Sequence, residues 1–130
     1  MTEKIRIGLI GCGAHAYRVL SPSLTKVENV EFVACSDVNE VAAYNMSQNF
    51  GFKQPYLDYN DMLAKEKLDG VMVVTPHHLL KEATIASIQA GNNVFVEKPM
   101  ATNLPDGIEI RETARQAGVD VMVGFCTRYA

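Results

Sequence analysis

Short apolar runs alternate along this chain with segments of helix length, without a low-complexity break or a linker between them. The first run is Ile5–Ile10, closed by Gly11 and Gly13, and the second is Val30–Ser36. Further runs occupy residues 71–74, 93–96 and 119–123, with a weaker strand expected near Tyr56 and Leu57. Most of these runs are continuously apolar instead of alternating, the pattern of strands covered by helices on both faces. The intervening segments carry helix punctuation. Leu79, Ala83, Ala86 and Ala90 recur at helical spacing before Gly91, and Gly107, Ile110, Ala114 and Ala117 before Gly118. Val41, Tyr44 and Gln48 predict a helix ending by Gly51, and Asp58 is placed to cap one around Met62 and Leu63. In the first helix, Ser21 is expected to cap a new turn that Pro22 begins. Six strands with helices between them predict an α/β fold, a doubly wound parallel sheet whose ligands bind at the carboxyl ends of the strands.

Composition narrows the class. The length of 130 residues suits one domain, expected to span residues 1–130, and too little chain remains for a second. With 48% hydrophobic and 21% charged residues, the chain is expected to be globular, neither disordered nor embedded in a membrane. Its 12 Lys and Arg against 15 Asp and Glu argue against a basic nucleic-acid-binding surface. Cys12, Cys35 and Cys126 lack any Cys-x-x-Cys spacing, so neither a disulfide framework nor a zinc site is indicated, and a reducing cytoplasm fits best. The start lacks the basic and long apolar regions of a signal peptide, and no apolar run approaches the roughly 18 residues of a membrane span.

The first strand runs into Gly11, Cys12, Gly13, Ala14, His15 and Ala16, a G-x-G-x-x-A turn that opens a helix. In such a turn the first glycine makes the tight bend and the second lets a pyrophosphate approach the backbone. The third small residue keeps the helix close to the sheet, and the free N–H groups of the helix start hold the phosphates. His15 is placed to add a hydrogen bond to that ligand, or to stand as a simple exposed side chain. The second strand is followed at once by Asp37, 24 positions after Gly13, close to the usual spacing of about 20 for the acidic residue that binds the adenosine ribose. A carboxylate there accepts from ribose hydroxyls and repels a 2'-phosphate, and Val38 and Asn39 supply no cation to rescue one. NAD is therefore expected over NADP. The same carboxylate also suits a plain helix cap.

Two later strands end in further chemistry: Thr75, Pro76, His77 and His78 after one, Glu97, Lys98 and Pro99 after the other. Both clusters fall at the strand edge where the cofactor would lie. A lysine there can hydrogen-bond a substrate hydroxyl and favour the charge that develops as it is oxidised, with Glu97 as a partner that keeps it charged and oriented. His77 and His78 are consecutive, so on a helix they diverge by about 100° and cannot share a metal ion. The thiols of Cys12 and Cys35 are expected close together as buried apolar filling.

On the glycine turn, the Thr75-Pro76 pair, Glu97-Lys98-Pro99 with Met100, Ala101 and Thr102, and Val123-Gly124-Phe125 with Arg128 and Tyr129, the chain resembles the amino-terminal domain of the glucose-fructose oxidoreductase and inositol dehydrogenase family (Gfo/Idh/MocA). The resemblance spans practically all 130 residues. It implies a Rossmann NAD-binding fold, with Lys98 as the active-site lysine meeting substrate and nicotinamide ribose. Gly11, Gly13, Ala14, His15, Ala16, Asp37, Thr75, Pro76, His77 and Glu97 would form the cofactor site, and Pro99 would follow a cis peptide. It further implies hydride transfer between the cofactor and a hydroxyl carbon of a sugar, cyclitol or related polyol. Substrate walls would belong to a second domain absent from this chain, so the chain is expected to bind NAD and turn over poorly alone, and a face left bare could drive homo-oligomerisation. Two departures stand out. His77 occupies the place of the family's usual Asn after Thr-Pro, and Cys126 and Thr127 replace an Asn and an Arg near the end. Two other classes share the glycine turn: a non-catalytic nucleotide-binding or sensor protein, which has no need of Lys98, and an S-adenosylmethionine-dependent methyltransferase, which has no need of Thr-Pro or Glu-Lys-Pro.

Overall fold

A computed structural model describes residues 3–125; Cys126, Thr127, Arg128 and Tyr129 lie outside them. Strand β1 (Ile5–Ile10) leads through the glycine turn into a π-helical segment, Ala16–Leu20, that continues as helix α1 (Ser21–Leu24). Then follow β2 (Val30–Ser36), α2 (Glu40–Phe50), β3 (Gln54–Tyr56), α3 (Tyr59–Lys65), β4 (Gly70–Val73), a 3-10 turn (His77–Leu79), α4 (Leu80–Gln89), β5 (Asn93–Glu97), α5 (Leu104–Ala117) and β6 (Val121–Gly124). All six strands are parallel, in the order β3-β2-β1-β4-β5-β6. The order reverses between β1 and β4, which makes their carboxyl ends the switch point of a doubly wound sheet.

Strand alternation sorts the core into two layers. Ile10, Ala34, Val71, Val73, Val94 and Val96 face Met62 of α3, Leu80, Ala83 and Ile88 of α4, and Ile110 and Ala114 of α5. Leu9, Cys35 and Met72 point the other way, toward Ala16, Met46 and Phe52. On that second face β5 and β6 carry Phe95 and Met122, which pair in register, and Met122 is half exposed.

Asp58, Gly51 and Gly118 punctuate their helices as predicted, while the caps Asn39 and Asn103 were not anticipated. Asn39, Asp58 and Asn103 each accept a backbone N–H in the first turn of their helices, and Gly51 and Gly118 close α2 and α5 in the left-handed conformation. Three expectations are corrected. Ser21 is no cap: the π-helical segment passes directly into α1, and the Ser21 hydroxyl is buried on Met46 Sδ at 3.1 Å. In α2 the buried residues are Ala43, Met46 and Ser47, while Val41 and Tyr44 are exposed. In α4 they are Leu80, Ala83, Thr84, Ser87 and Ile88, and Leu79 faces outward. Both helices are rotated from the apolar stripe because serines that satisfy their hydroxyls on nearby carbonyls pack as small apolar groups: Ser87 donates to Ala83, Ser47 to Phe52.

Candidate dinucleotide site

The end of β1 is fastened on both sides. Gly11 N–H donates to the Ser36 carbonyl at 2.9 Å, and Val74 N–H to that of Ile10 at 2.8 Å. The chain then turns at Gly11 with φ of 98°, where a Cβ would stand 2.4 Å from the Val74 carbonyl oxygen. The turn itself demands glycine there. At Gly13 an added Cβ would meet nothing within 4 Å. The protein's own packing does not ask for glycine at that position; what the missing side chain leaves is open space over the backbone N–H groups that begin a helix. Those groups have no carbonyl one turn earlier to satisfy them, and such a cradle fits the phosphates of a dinucleotide.

Asp37 follows β2 and is bound into the turn. One carboxylate oxygen accepts the Cys12 N–H at 2.8 Å and the other the Asn39 N–H at 2.8 Å. The cap of α2 is Asn39, so the reading of Asp37 as a plain helix cap does not hold. Each oxygen of a carboxylate can accept a second bond, which leaves both able to take a ribose hydroxyl. Below Cys12, its thiol and that of Cys35 are buried and free, and the Cys12 thiol is pushed upward in pKa by its hydrogen bond with Cys35 and by burial. Both are buried, as expected.

Two cavities open along this edge of the sheet. One of about 420 Å³ is lined by Gly11, Ser36, Asp37, Val38, Leu57, Asp58, Tyr59, Thr75, Pro76, Leu79 and Glu82, among others. The second, of about 390 Å³, is lined by Gly13, Ala14, His15, Ala16, Val74, Thr75, Pro76, His77, Glu97 and Lys98. Thr75 and Pro76 border both, so the two cavities adjoin at the switch point and form one row from Asp37 to Lys98. Every candidate read from the sequence lies on it. Val38, Leu57, Asp58, Tyr59, Leu79 and Glu82 also line the first cavity and were not singled out from the sequence as lining it. For Val38, Leu57 and Leu79 the signal is apolar character at exposed positions, Val38 being 93% exposed; Asp58 and Glu82 gave none. Tyr59 is raised in pKa by burial and by the nearby carboxylates of Glu82 and Asp58. The Ser36 hydroxyl is buried without a hydrogen-bond partner among the described residues.

At the other end, Glu97 does not pair with the ammonium of Lys98. Its Oε2 accepts the backbone N–H of Lys98 at 2.7 Å, and its Oε1 lies 3.1 Å from Nε2 of His15, across 82 residues of sequence. The Lys98–Pro99 peptide is cis, as the resemblance implies. His77 opens the 3-10 turn at the rim. Among the described residues no three His, Cys, Asp or Glu side chains are grouped to hold a metal ion, and no helix is long and apolar enough to cross a membrane.

A parallel sheet in this order, with a glycine turn, an acidic residue after the second strand and a lysine after the fifth, defines a dinucleotide-binding Rossmann unit. Residues 5–125 match the oxidoreductase family with an NAD-binding Rossmann fold (GFO_IDH_MocA), and the chain belongs to that family. Myo-inositol 2-dehydrogenase of Thermotoga maritima is 30% identical over 125 residues, covering 96% of this chain and 37% of that protein. The structure of the WlbA dehydrogenase from Bordetella pertussis, in complex with NADH and UDP-GlcNAcA, has a TM-score of 0.85 at 33% identity over 93% of this chain and 35% of that one. A 3-ketoreductase from Actinomadura kijaniata, in complex with TDP-benzene and NADP, has a TM-score of 0.88 at 29% identity, covering 95% and 39%. The chain thus spans less than two fifths of the length of these proteins.

Proposed function

We propose that residues 1–130 form the NAD-binding domain of an oxidoreductase that moves hydride between the nicotinamide and a hydroxyl carbon of a sugar, cyclitol or related polyol. The observation that carries this reading is the row of two adjoining cavities from Asp37 to Lys98 across the switch point. Asp37 would accept the adenosine ribose hydroxyls, with Val38, Leu57 and Leu79 covering the base. The N–H groups at Gly13, Ala14, His15 and Ala16 would hold the phosphates, and Thr75, Pro76, His77 and Glu97 would line the nicotinamide half. Bound nicotinamide supplies the hydride chemistry. Lys98, whose backbone Glu97 holds and whose side chain is exposed to the cavity, would donate to the substrate oxygen and stabilise negative charge on it. NAD is favoured over NADP because Asp37, Asp58 and Glu82 line the adenosine cavity and no Lys or Arg does. The substrate class follows the relatives, one named for myo-inositol and one crystallised with a sugar nucleotide. Free buried thiols suit a reducing cytoplasm, and association of copies would use the half-exposed Met122 and Phe125.

Titration with NADH, NADPH and S-adenosylmethionine tests the reading. NADH should bind tightest, and tightest binding of S-adenosylmethionine overturns it.

A further inference from the structure

The Glu97 carboxylate is held at both oxygens, with a side-chain-free position beside it. His15 meets Oε1, the Lys98 N–H meets Oε2, and the paired strand β6 offers Gly124, where a Cβ would come within 3.5 Å of Oε1 and collide with Phe95. The Glu97 side chain is only 16% exposed, that of His15 50%. This bridge joins the phosphate turn to the strand that carries Lys98, inside the cavity farther from Asp37. In a doubly wound sheet the adenosine occupies the half marked by the acidic residue after β2, and the nicotinamide occupies the other half. The bridge therefore stands at the nicotinamide end, provided the proposed cofactor placement holds.

The oxidised nicotinamide ring carries a positive charge and the reduced ring carries none. An ionised Glu97 only accepts, so His15 must present N–H at Nε2, which the neutral ring does in one tautomer and the imidazolium does always. Titration thus leaves the bridge in place and changes only its charge, from −1 with neutral imidazole to zero with imidazolium. Histidine is the side chain that makes this change between about pH 5 and 8. Of the other groups facing this cavity, Lys98 is the cationic side chain and His77 the second imidazole, while Thr75, Pro76, Val74 and Gly124 carry no ionisable side chain. Asp37 stands at the other cavity and Arg18 on the far side of the turn.

We propose that the His15–Glu97 pair reads the charge of the nicotinamide ring, so that rising pH shifts the balance of affinities from the reduced toward the oxidised cofactor. As pH rises and His15 loses its proton, the pair becomes net negative and favours the oxidised form. The test measures dissociation constants of NAD+ and NADH for this chain between about pH 5.5 and 8.5. Raising the pH should improve NAD+ relative to NADH by about three- to tenfold, the size of one charge acting across a partly solvated cleft. In His15→Gln, which keeps a donor without a titrating charge, and in His15→Ala, the ratio should be flat with pH. In His77→Asn the pH dependence should persist. The ratio is insensitive to partial unfolding, which weakens both nucleotides together. A flat ratio in the unsubstituted chain, or a slope that survives His15→Gln or vanishes in His77→Asn, overturns this inference and leaves the proposed function standing. Failure of both nucleotides to bind overturns the proposed function and this inference with it.

Discussion

At Gly11 an added Cβ would press on the Val74 carbonyl in a backbone conformation that L side chains rarely adopt, whereas at Gly13 it would enter open space. The two glycines of one motif therefore answer to different demands, and substitution separates them. Gly11→Ala should lower stability by roughly 2 kcal/mol or more, seen in thermal or urea unfolding. Gly13→Ala should leave the melting temperature unchanged or slightly raised, because alanine restricts the unfolded chain, while NADH affinity falls at least about tenfold; undiminished affinity would remove Gly13 from the phosphate site. Asp37 serves both fold and ligand, since its carboxylate anchors Cys12 and Asn39. Asp37→Ala should cost about 1–3 kcal/mol of stability and weaken NADH much more than NADPH. Equal losses for the two nucleotides would count against its ribose role. Both glycines and Asp37 were legible in the sequence because their spacing reflects local backbone geometry. The partner of Glu97 was not, since His15 lies 82 positions away and only the fold brings them together.

Part of the helix punctuation was readable because it depends on neighbours within one turn: Asp58 caps α3, and Gly51 and Gly118 close α2 and α5, whereas the caps Asn39 and Asn103 went unread. The buried faces of α2 and α4 were misjudged. Hydropathy counts Ser47, Thr84 and Ser87 as polar, and it counts Val41, Tyr44 and Leu79 as core, yet the reverse holds in the fold. Ser47 and Ser87 have bonded carbonyls nearby; the Thr84 hydroxyl is buried without a partner among the described residues. Thr84→Val, equal in shape and free of that hydroxyl, should raise stability by about 1 kcal/mol in urea denaturation. Leu79 left the helix face because the 3-10 turn of His77–Leu79 rotates the chain before α4 begins, and this rotation delivers Leu79 to the cavity beside Asp37.

Across the whole sheet, Glu31 of β2 ties three segments together, accepting from Arg6 of β1 at 2.8 Å and from Lys53 just before β3. Its carboxyl is held below the ordinary value of 4.5, chiefly by the hydrogen bond from Lys53. A depressed carboxylate contributes stability in full above its unfolded pKa and loses it as pH falls through the lower folded value. Thermal unfolding of Glu31→Gln should therefore decline less with acid below about pH 4.5 than that of the unsubstituted protein. The thiols of Cys12 and Cys35 lie under the glycine turn in the second core layer. In a Cys126→Ser background they should resist alkylation until the domain unfolds, and rapid reaction in the native state would refute their role as filling.

The amino-acid sequence by itself determined the strands, the parallel class, the glycine turn and the acidic and basic residues at the strand ends, because each depends on spacing within a few turns or on periodicity along one element. Only the tertiary structure decided which helix faces are buried, that exposed Val38, Leu57 and Leu79 gather at one cavity, and that the side chain paired with Glu97 is His15 and not the Lys98 ammonium. Those outcomes rest on the strand order and on the rotation of each helix against the sheet, where contacts join residues far apart in the chain and local preference has no influence.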